Sequence, residues 1–561
     1  MSEQLPSRFS WGRFDRLLDS VVERVRTRLE KVLRKTRPSV VSGAAIVLVL
    51  LVSAVILSAN LRDQWFVYDE FDYLAAPSGQ NWLSWLVTPH NEHTILFTKL
   101  WFSALYSIVG LHGYLLYAAP MVVSHLAGGV AIYRLMRLIV PSRAVAVATI
   151  APVMIMTAGV GTLTWAGQFQ YTAATTAGLW ALYCALSPEL NPKGRSIWMI
   201  ALALFGTFSG SAFLPLGVAA GLAAISTRRY LVGIITILIP STWFVLSRVL
   251  YTIPSYNSAH SIAQILRDGP EFIFALLNKA VADSIPVSDS FTTPLIVLST
   301  VGVIFYLGGR GGPVGSSRAR RTFLFLLISL VLSLAITLVG RLSRNLAESA
   351  SGGYTYFILI VAIPLFVAMM VRLFSARRLA IAMVVLLLAG SATINIVGFQ
   401  DDAQGLAAFK APNPVLLSGA AYLASEDFPV IGDDPPSPSL APTVPWSELR
   451  NMAKNGRISA VEPEQPVEDQ LSLNLQWESS DATGSLGDCS PVVNVGAIAV
   501  HPGSTLRVES ADGSASSFTL TYPTSDAKRE FPLPQGGLTL ATVAERTVTV
   551  PLGGVAVALC T

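Results

Sequence analysis

Residues 38–59 read PSVVSGAAIVLVLLVSAVILSA, an apolar run of 22 residues without a single charge. A bilayer core of about 30 Å needs roughly 20 apolar residues per helix, so this run predicts a membrane-spanning helix. Ten further apolar runs lie near residues 113–137, 143–160, 170–187, 196–209, 212–226, 230–250, 294–308, 322–339, 354–372 and 379–398. The sequence therefore predicts a polytopic α-helical membrane protein with about eleven transmembrane helices.

The composition supports this class. The chain is 52% hydrophobic and 13% charged, with a mean hydropathy of +0.55, whereas soluble domains carry about 25% charged residues. Its basic residues cluster between alternate spans, which the positive-inside rule explains when the N-terminus is cytoplasmic. Basic charge of this kind sets topology, so no nucleic-acid partner is expected. The Ala-, Val-, Gly- and Arg-rich composition with few lysines indicates a GC-rich bacterium. Together with the apolar spans, it leads us to expect a multi-pass protein of the bacterial plasma membrane.

The N-terminal residues 1–37 are predicted to form a cytoplasmic, amphipathic basic tail on the membrane surface. A solvated basic leader that fixes the orientation explains the same residues. The stretch 95–109 has to lie along the outer interface or dip partway into the membrane, because it is short for a crossing and a full span there would invert the later loops.

The composition changes near residue 400. Residues 401–561 hold 19 Asp/Glu against 8 Lys/Arg, compared with 16 against 31 before them. Residues 401–470 are predicted to be a Pro-, Ser- and Asp-rich linker with one short helix. Short alternating runs in residues 471–561 predict a small β-sandwich-like domain, which an odd number of spans places outside. Cys489 and Cys560 are a candidate disulfide there.

The segment YDEFDYLAAPSGQNWLSWLVTPHNEHT, residues 68–94, directly follows the first span. Its carboxylates Asp69, Glu70 and Asp72 lie among aromatic residues that are typical of a membrane interface. Partial burial there raises the pKa of a carboxyl group and suits it to proton transfer. The alternative is a solvated acidic loop.

The histidines in HNEH, residues 90–93, have several interpretations. The spacing is not the HExxH of metalloproteases. His90 and His93 could bind a divalent metal with Glu92, could simply belong to the start of a helix, or could donate hydrogen bonds to a phosphate. The sequence allows a metal but does not require one.

Arginines are predicted on the same outer side as these loops. Arg248 lies near the end of its span, and Arg341 and Arg344 follow a later one. An arginine at a helix end commonly reaches toward lipid headgroups. Together the three could instead neutralise a phosphate group.

An acidic pair after the first span, a histidine-containing turn, an interfacial helix and a second span that ends in basic residues together resemble the GT-C superfamily. These are polytopic glycosyltransferases of the protein mannosyltransferase and aminoarabinose transferase type. The resemblance covers residues 38–400 and implies sugar transfer on the extracytoplasmic face from a polyprenyl-phosphate sugar donor to an envelope glycan or lipid acceptor.

The resemblance also implies roles for single residues. Asp69 would be the catalytic base, with Glu70 as its rival, and direct displacement would invert the anomeric centre. His90, His93, Arg248, Arg341, Arg344 and Tyr354 would contact donor phosphate or acceptor, and membrane lipids would surround the bundle. Two alternatives remain: a flippase-like lipid or polysaccharide transporter, and a glycan ligase or polymerase.

Overall fold

A computed structural model gives the structure of the chain. It describes residues 38–77, 80–91, 93–251, 261–282, 316–342, 352–373, 378–426, 428–430 and 432–481. In the C-terminal region it describes 489–491, 497–500, 505–510, 517–522, 525, 527–534, 538–542, 546–549 and 555–560. The tail 1–37, Glu92, the apolar run 294–308 and Arg344 lie outside the described residues.

Seventeen α-helices precede the strands in the described part of the chain. They are α1 Pro38–Arg62, α2 Trp82–Val87, α3 Leu96–Val109, α4 Tyr114–Ile139, α5 Arg143–Met154, α6 Val160–Leu163, α7 Phe169–Leu186, α8 Pro192–Ser209, α9 Phe213–Ser226, α10 Tyr230–Leu250, α11 Ile262–Ala282, α12 Ser317–Arg341, α13 Gly352–Leu373, α14 Arg378–Lys410, α15 Pro412–Leu423, α16 Trp446–Lys454 and α17 Gln465–Leu475. A 3-10 turn at Tyr68–Tyr73 follows α1.

Six of these helices are long and apolar enough to cross a membrane: α1, α4, α10, α12, α13 and α14. A seventh crossing results if α5 and the helical turns at 157–163, which are bent by 51°, form one span. The multi-pass membrane class is therefore confirmed. The predicted number of about eleven is not confirmed, since α7, α8 and α9 are not among these candidate spans and the run 294–308 lies outside the described residues.

Helix α3 spans 14 residues, about 21 Å at 1.5 Å per residue, which is too short to cross a bilayer. It ends at Gly110, whose φ is +62°. A Cβ at that position would lie 2.4 Å from the carbonyl oxygen of Arg457. Glycine is therefore required both for the left-handed backbone and for the close approach of the C-terminal region.

The region 401–470 differs from the predicted linker. Helix α14 continues past the expected boundary to Lys410, and α15, α16 and most of α17 follow within this region. The Pro-rich segment between α15 and α16 is irregular, as predicted, but it packs on the helical bundle: Leu440, Ala441 and Val444 are buried. Proline prevents regular secondary structure there without preventing burial.

The C-terminal region forms the predicted β-sandwich, which begins at Trp477. Its strands are β1 Trp477–Asp481, β2 Ser490–Pro491, β3 Ala497–Val500, β4 Thr505–Ser510, β5 Ser517–Thr521, β6 Lys528–Pro532, β7 Leu538–Thr542, β8 Arg546–Thr549 and β9 Val555–Cys560. The two sheets have the orders β1-β7-β4-β9-β2 and β3-β8-β5-β6. Buried side chains from both sheets, such as Leu506 and Phe518, form one core. Cys489 and Cys560 form a disulfide.

Candidate functional site

The predicted site residues that the structure describes lie at one end of the helical bundle, which we call the site end. The Tyr68–Tyr73 turn and the segment between α2 and α3 form part of it. The remainder comes from helix ends: Arg248 at the end of α10, Arg341 at the end of α12 and Tyr354 at the start of α13. The turn, Arg248 and the Arg341–Tyr354 pair are separated by long stretches of sequence and meet only in the tertiary structure.

The segment that carries the histidines is held by a buried lysine. Lys99 in α3 donates hydrogen bonds to the carbonyl oxygens of Trp85, at 2.9 Å, and Thr88, at 2.8 Å. His90 and His93 then exchange backbone hydrogen bonds of 2.9 and 3.0 Å. These backbone bonds hold the two imidazoles close together, next to the turn Tyr68–Tyr73, which we call the carboxylate turn.

The carboxylate turn begins with an unusual backbone conformation. Tyr68 has a φ of +50°, a left-handed conformation that is costly for a bulky residue and persists only where its surroundings fix it. Its N–H donates a 2.7 Å hydrogen bond to the carbonyl oxygen of Leu440. This contact with the C-terminal region supports the strained start of the turn, immediately before Asp69.

Asp69 and Asp72 flank the imidazole of His90. Asp69 Oδ2 lies 3.2 Å from His90 Nε2, and Asp72 Oδ2 lies 3.9 Å from His90 Nδ1. The Asp69 side chain is 40% exposed, so a substrate could reach it. Burial raises the pKa of Asp72, although a hydrogen bond from the Thr443 hydroxyl and the charge of His90 oppose the rise.

These three side chains could also hold a metal ion. Asp69, Asp72 and His90 each offer a ligand atom, and the three atoms lie within 4.8 Å of one another. Two carboxylate oxygens and one imidazole nitrogen suit several divalent cations. The set differs from the predicted one, in which Glu92 joined both histidines.

Glu70, the rival candidate for the base, points into the protein and is fully buried. Its Oε1 accepts hydrogen bonds of 2.9 Å from both the Tyr114 hydroxyl and the Gly167 N–H, and its Oε2 accepts one of 3.1 Å from the Val67 N–H. Burial raises the pKa of Glu70 to about 7, against the opposing charge of Lys410. Both oxygens are thus occupied by groups that fix the turn.

His93 lies on the basic side of the site. Its Nδ1 is 2.6 Å from the Ser211 hydroxyl and its Nε2 is 3.4 Å from the Tyr171 hydroxyl. Burial lowers the pKa of His93 to about 3, and the charges of Arg341, His90 and Arg248 add to the effect. At neutral pH the ring is therefore uncharged and can exchange hydrogen bonds without contributing charge.

Arg341 and Tyr354, which the sequence places 13 residues apart, form a direct contact. Arg341 Nε donates a 2.6 Å hydrogen bond to the Tyr354 hydroxyl, and the guanidinium lies 5.0 Å from the centre of the ring. The Tyr354 ring also lies 6.1 Å from that of Tyr171. Arg248 packs over Phe244 at 4.7 Å. The result is a basic and aromatic cluster around His93.

Several residues at the site end were not among the predicted site residues. Ser211 belongs to the stretch FSGSAF, whose glycines and small residues indicate helix packing, and Tyr171 lies in an apolar run. The Gly210 before Ser211 permits the approach, because a Cβ there would come within 3.0 Å of the Gln170 carbonyl oxygen. Lys410 and Thr443 lie beyond the predicted membrane domain. No local pattern marks these four side chains.

The arrangement combines two chemical functions side by side. A partly exposed carboxylate beside an imidazole can accept a proton. The neighbouring arginines can stabilise negative charge that develops on a phosphate, as preorganised donors do in many active sites.

Comparisons with known proteins give fold likenesses only. No protein-family model and no curated protein matches the chain. Among solved structures, ArnT from Cupriavidus metallidurans bound to undecaprenyl phosphate is 15% identical with a TM-score of 0.45, over 77% of this chain and 92% of that one. The apo state of ArnT is 15% identical with a TM-score of 0.42, over 78% of this chain and 93% of that one.

A third structure, the arabinofuranosyltransferase AftD from Mycobacteria, is 12% identical with a TM-score of 0.38, over 88% of this chain and 40% of that one. Because all three TM-scores are below 0.5, they carry no argument about activity, which has to be made from the residues of this chain.

Proposed function

We propose that the chain is a membrane glycosyltransferase that moves a sugar from a polyprenyl-phosphate-linked donor to an envelope glycan or lipid acceptor on the extracytoplasmic face. One observation carries the proposal: the partly exposed Asp69 carboxylate, next to His90, shares the site end with the basic cluster around His93. A reaction that removes a proton from a hydroxyl and releases a phosphate needs these two groups side by side.

Asp69 is the general base in this mechanism. It takes the proton of the acceptor hydroxyl while the oxygen attacks the anomeric carbon, and the bond from that carbon to the donor phosphate oxygen breaks. The leaving polyprenyl phosphate keeps the electron pair of that bond. A single displacement of this kind inverts the anomeric centre. His90, which lies between Asp69 and Asp72, orients the carboxylate.

Arg341 and Arg248 stabilise the charge on the leaving phosphate, and neutral His93 contributes a hydrogen bond. Tyr354 fixes the guanidinium of Arg341 through its hydroxyl. We assign Glu70 to positioning, because three hydrogen bonds already occupy its oxygens. A divalent cation at Asp69, Asp72 and His90 would add positive charge beside the donor phosphate.

Transfer from radiolabelled polyprenyl-phosphate sugars to cell-envelope glycans and lipids tests the proposal with purified protein in nanodiscs. We expect Asp69→Asn to lower the turnover by about 10²- to 10⁴-fold, the usual contribution of a general base. Asp63→Asn is the matched control, since Asp63 lies in the same loop but outside the site. Full activity of Asp69→Asn would refute the assignment of the base.

The transporter remains the second candidate. It predicts movement of a lipid-linked sugar across vesicles without covalent transfer or donor hydrolysis. A protein that moves the donor but never cleaves it, with or without Asp69, would replace the glycosyltransferase by the transporter.

A further inference from the structure

The C-terminal β-sandwich is connected to the carboxylate turn through a continuous series of polar contacts. The connecting piece is the Pro-rich segment 429–444, which we call the strap; the structure describes it except for residue 431. It contacts the turn on one side and the junction of α17 with the β-sandwich on the other.

On the site side, two contacts hold the turn. The Tyr68 N–H donates to the Leu440 carbonyl oxygen at 2.7 Å, at the left-handed residue that begins the turn. The Thr443 side chain is close enough to the carboxyl group of Asp72, which flanks His90, to oppose the rise of its pKa. The strap therefore approaches both ends of the acidic sequence Asp69–Asp72, and its backbone bonds the first of them.

On the other side, two buried amide side chains hold the strap, one in the last turn of α17 and one directly after it. Asn474 donates a 2.7 Å hydrogen bond to the Pro436 carbonyl oxygen, and Gln476 donates one of 3.0 Å to that of Pro429. Asn474 is 5% exposed and Gln476 is fully buried. Proline carbonyls in irregular backbone need such partners, because no regular secondary structure supplies them.

Arg529 in β6 fixes the end of α17 to the β-sandwich. One of its terminal nitrogens, Nη1, donates to the carbonyl oxygens of Leu473, Asn474 and Trp477 at 2.9, 2.8 and 3.2 Å. The first two are among the last carbonyls of the helix, which lack partners within it. Nη2 lies 3.6 Å from Asp434 of the strap itself.

We propose that the β-sandwich positions the catalytic carboxylates through the strap, with Thr443 as a positioning residue for Asp72. The domain then has a role in the reaction without touching the substrate. The word catalytic in this inference rests on the proposed function. The connection between the β-sandwich and the turn can be tested without any substrate.

Hydrogen–deuterium exchange of the full chain in lipid nanodiscs provides the test, with the amides of residues 66–73 as the readout. We expect Arg529→Gln to speed their exchange roughly tenfold, as the loss of charge-assisted hydrogen bonds would through local opening. Lys528→Gln is the matched control, since it removes the exposed positive charge next to Arg529 in β6. Unchanged exchange in Arg529→Gln, with the β-sandwich still protected, would overturn the proposal.

Asn474→Ala covers the case in which Arg529→Gln unfolds the β-sandwich, because it removes the contact with Pro436 and leaves β6 unaltered. It should speed exchange in the turn by a similar factor. Unchanged exchange in this variant would also overturn the proposal.

Substitution of Thr443 tests its hydroxyl directly. Thr443→Val should speed exchange in the turn several-fold, about the loss of one hydrogen bond, and Thr443→Ser should restore the wild-type rate. Equal rates in the two variants would contradict the positioning role. The exposed Ser439→Ala serves as the control within the strap. These results are independent of sugar transfer, so an inactive wild-type protein would refute the proposed function and leave the positioning result standing.

Discussion

Raising the pH from about 4.5 to about 7 should destabilise the protein through Glu70. The folded state raises the pKa of Glu70 from 4.5 to about 7, because the side chain is fully buried. Between these values the folded protein binds more protons than the unfolded chain, so stability falls as the pH rises. The stability that protonated Glu70 contributes to the folded state is fully present below about pH 4.5 and is lost as the pH rises through about 7.

The size of this loss follows from the pKa change. At about 1.36 kcal/mol per pKa unit, the pKa change lowers the free energy of unfolding by about 3 kcal/mol between about pH 4.5 and pH 7. Because Glu70 is fully buried, screening by solvent does not reduce this figure much. Such a change is a large fraction of the 5–15 kcal/mol that is typical of folded proteins.

Glu70→Gln is the perturbation that isolates the group. Glutamine has an acceptor oxygen and an N–H donor, as protonated glutamic acid has an oxygen and an O–H, so it resembles the low-pH form. We expect the two proteins to have similar stability near pH 4.5, and the variant to be more stable by up to about 3 kcal/mol above pH 7.

Denaturation in nanodiscs at a series of pH values measures this difference. Titrating groups that do not interact with Glu70 affect both proteins equally and cancel when the two curves are subtracted. The same slope in Glu70→Gln and in the wild type would show that burial does not raise the pKa of Glu70, and a glutamine variant that is stable but inactive would return Glu70 to the list of catalytic candidates.

Three further predictions concern the rest of the molecule. Arg341→Lys should raise the KM for the lipid-linked donor by about 10-fold or more in steady-state transfer assays, because lysine lacks the planar guanidinium that donates to Tyr354 through Nε and leaves its terminal nitrogens for the phosphate; an unchanged KM would remove Arg341 from the phosphate site. Gly110→Ala should cost at least about 1–2 kcal/mol of stability in thermal unfolding, because alanine is strained at positive φ and its Cβ meets the Arg457 carbonyl. Cys560→Ser, which opens the disulfide to Cys489 over a separation of 71 residues, should cost the β-sandwich about 4 kcal/mol on chain-entropy grounds; a sandwich that melts at the wild-type temperature would contradict this.

The membrane class and the β-sandwich could be predicted because both depend on local patterns. An apolar run such as residues 38–59 has to leave water wherever it lies in the fold, and alternating strands bury one face by their period of two. The non-spanning helix after His93 was predicted from its short length and from the positive-inside distribution of the later basic loops. How the Pro-rich segment packs could not be predicted, because proline content determines backbone regularity but not which surface the segment contacts.

The roles of the acidic residues could not be separated in the same way. Asp69 and Glu70 are adjacent and chemically similar in sequence, yet one is partly exposed beside His90 and the other is buried among Tyr114, Gly167 and Val67. The buried environment of Glu70 is built by residues up to 340 positions away, including Lys410. Only the fold brings these groups together.

The sequence by itself thus determined what kind of protein this is and which loop carries its polar chemistry, since hydrophobicity and charge act residue by residue. The tertiary structure alone decided that Asp69 is accessible, that Glu70 holds the turn, that His93 is surrounded by Arg248 and Arg341, and that the strap reaches the carboxylates. The physical reason is that burial and pairing depend on long-range contacts, which no local pattern of residues encodes.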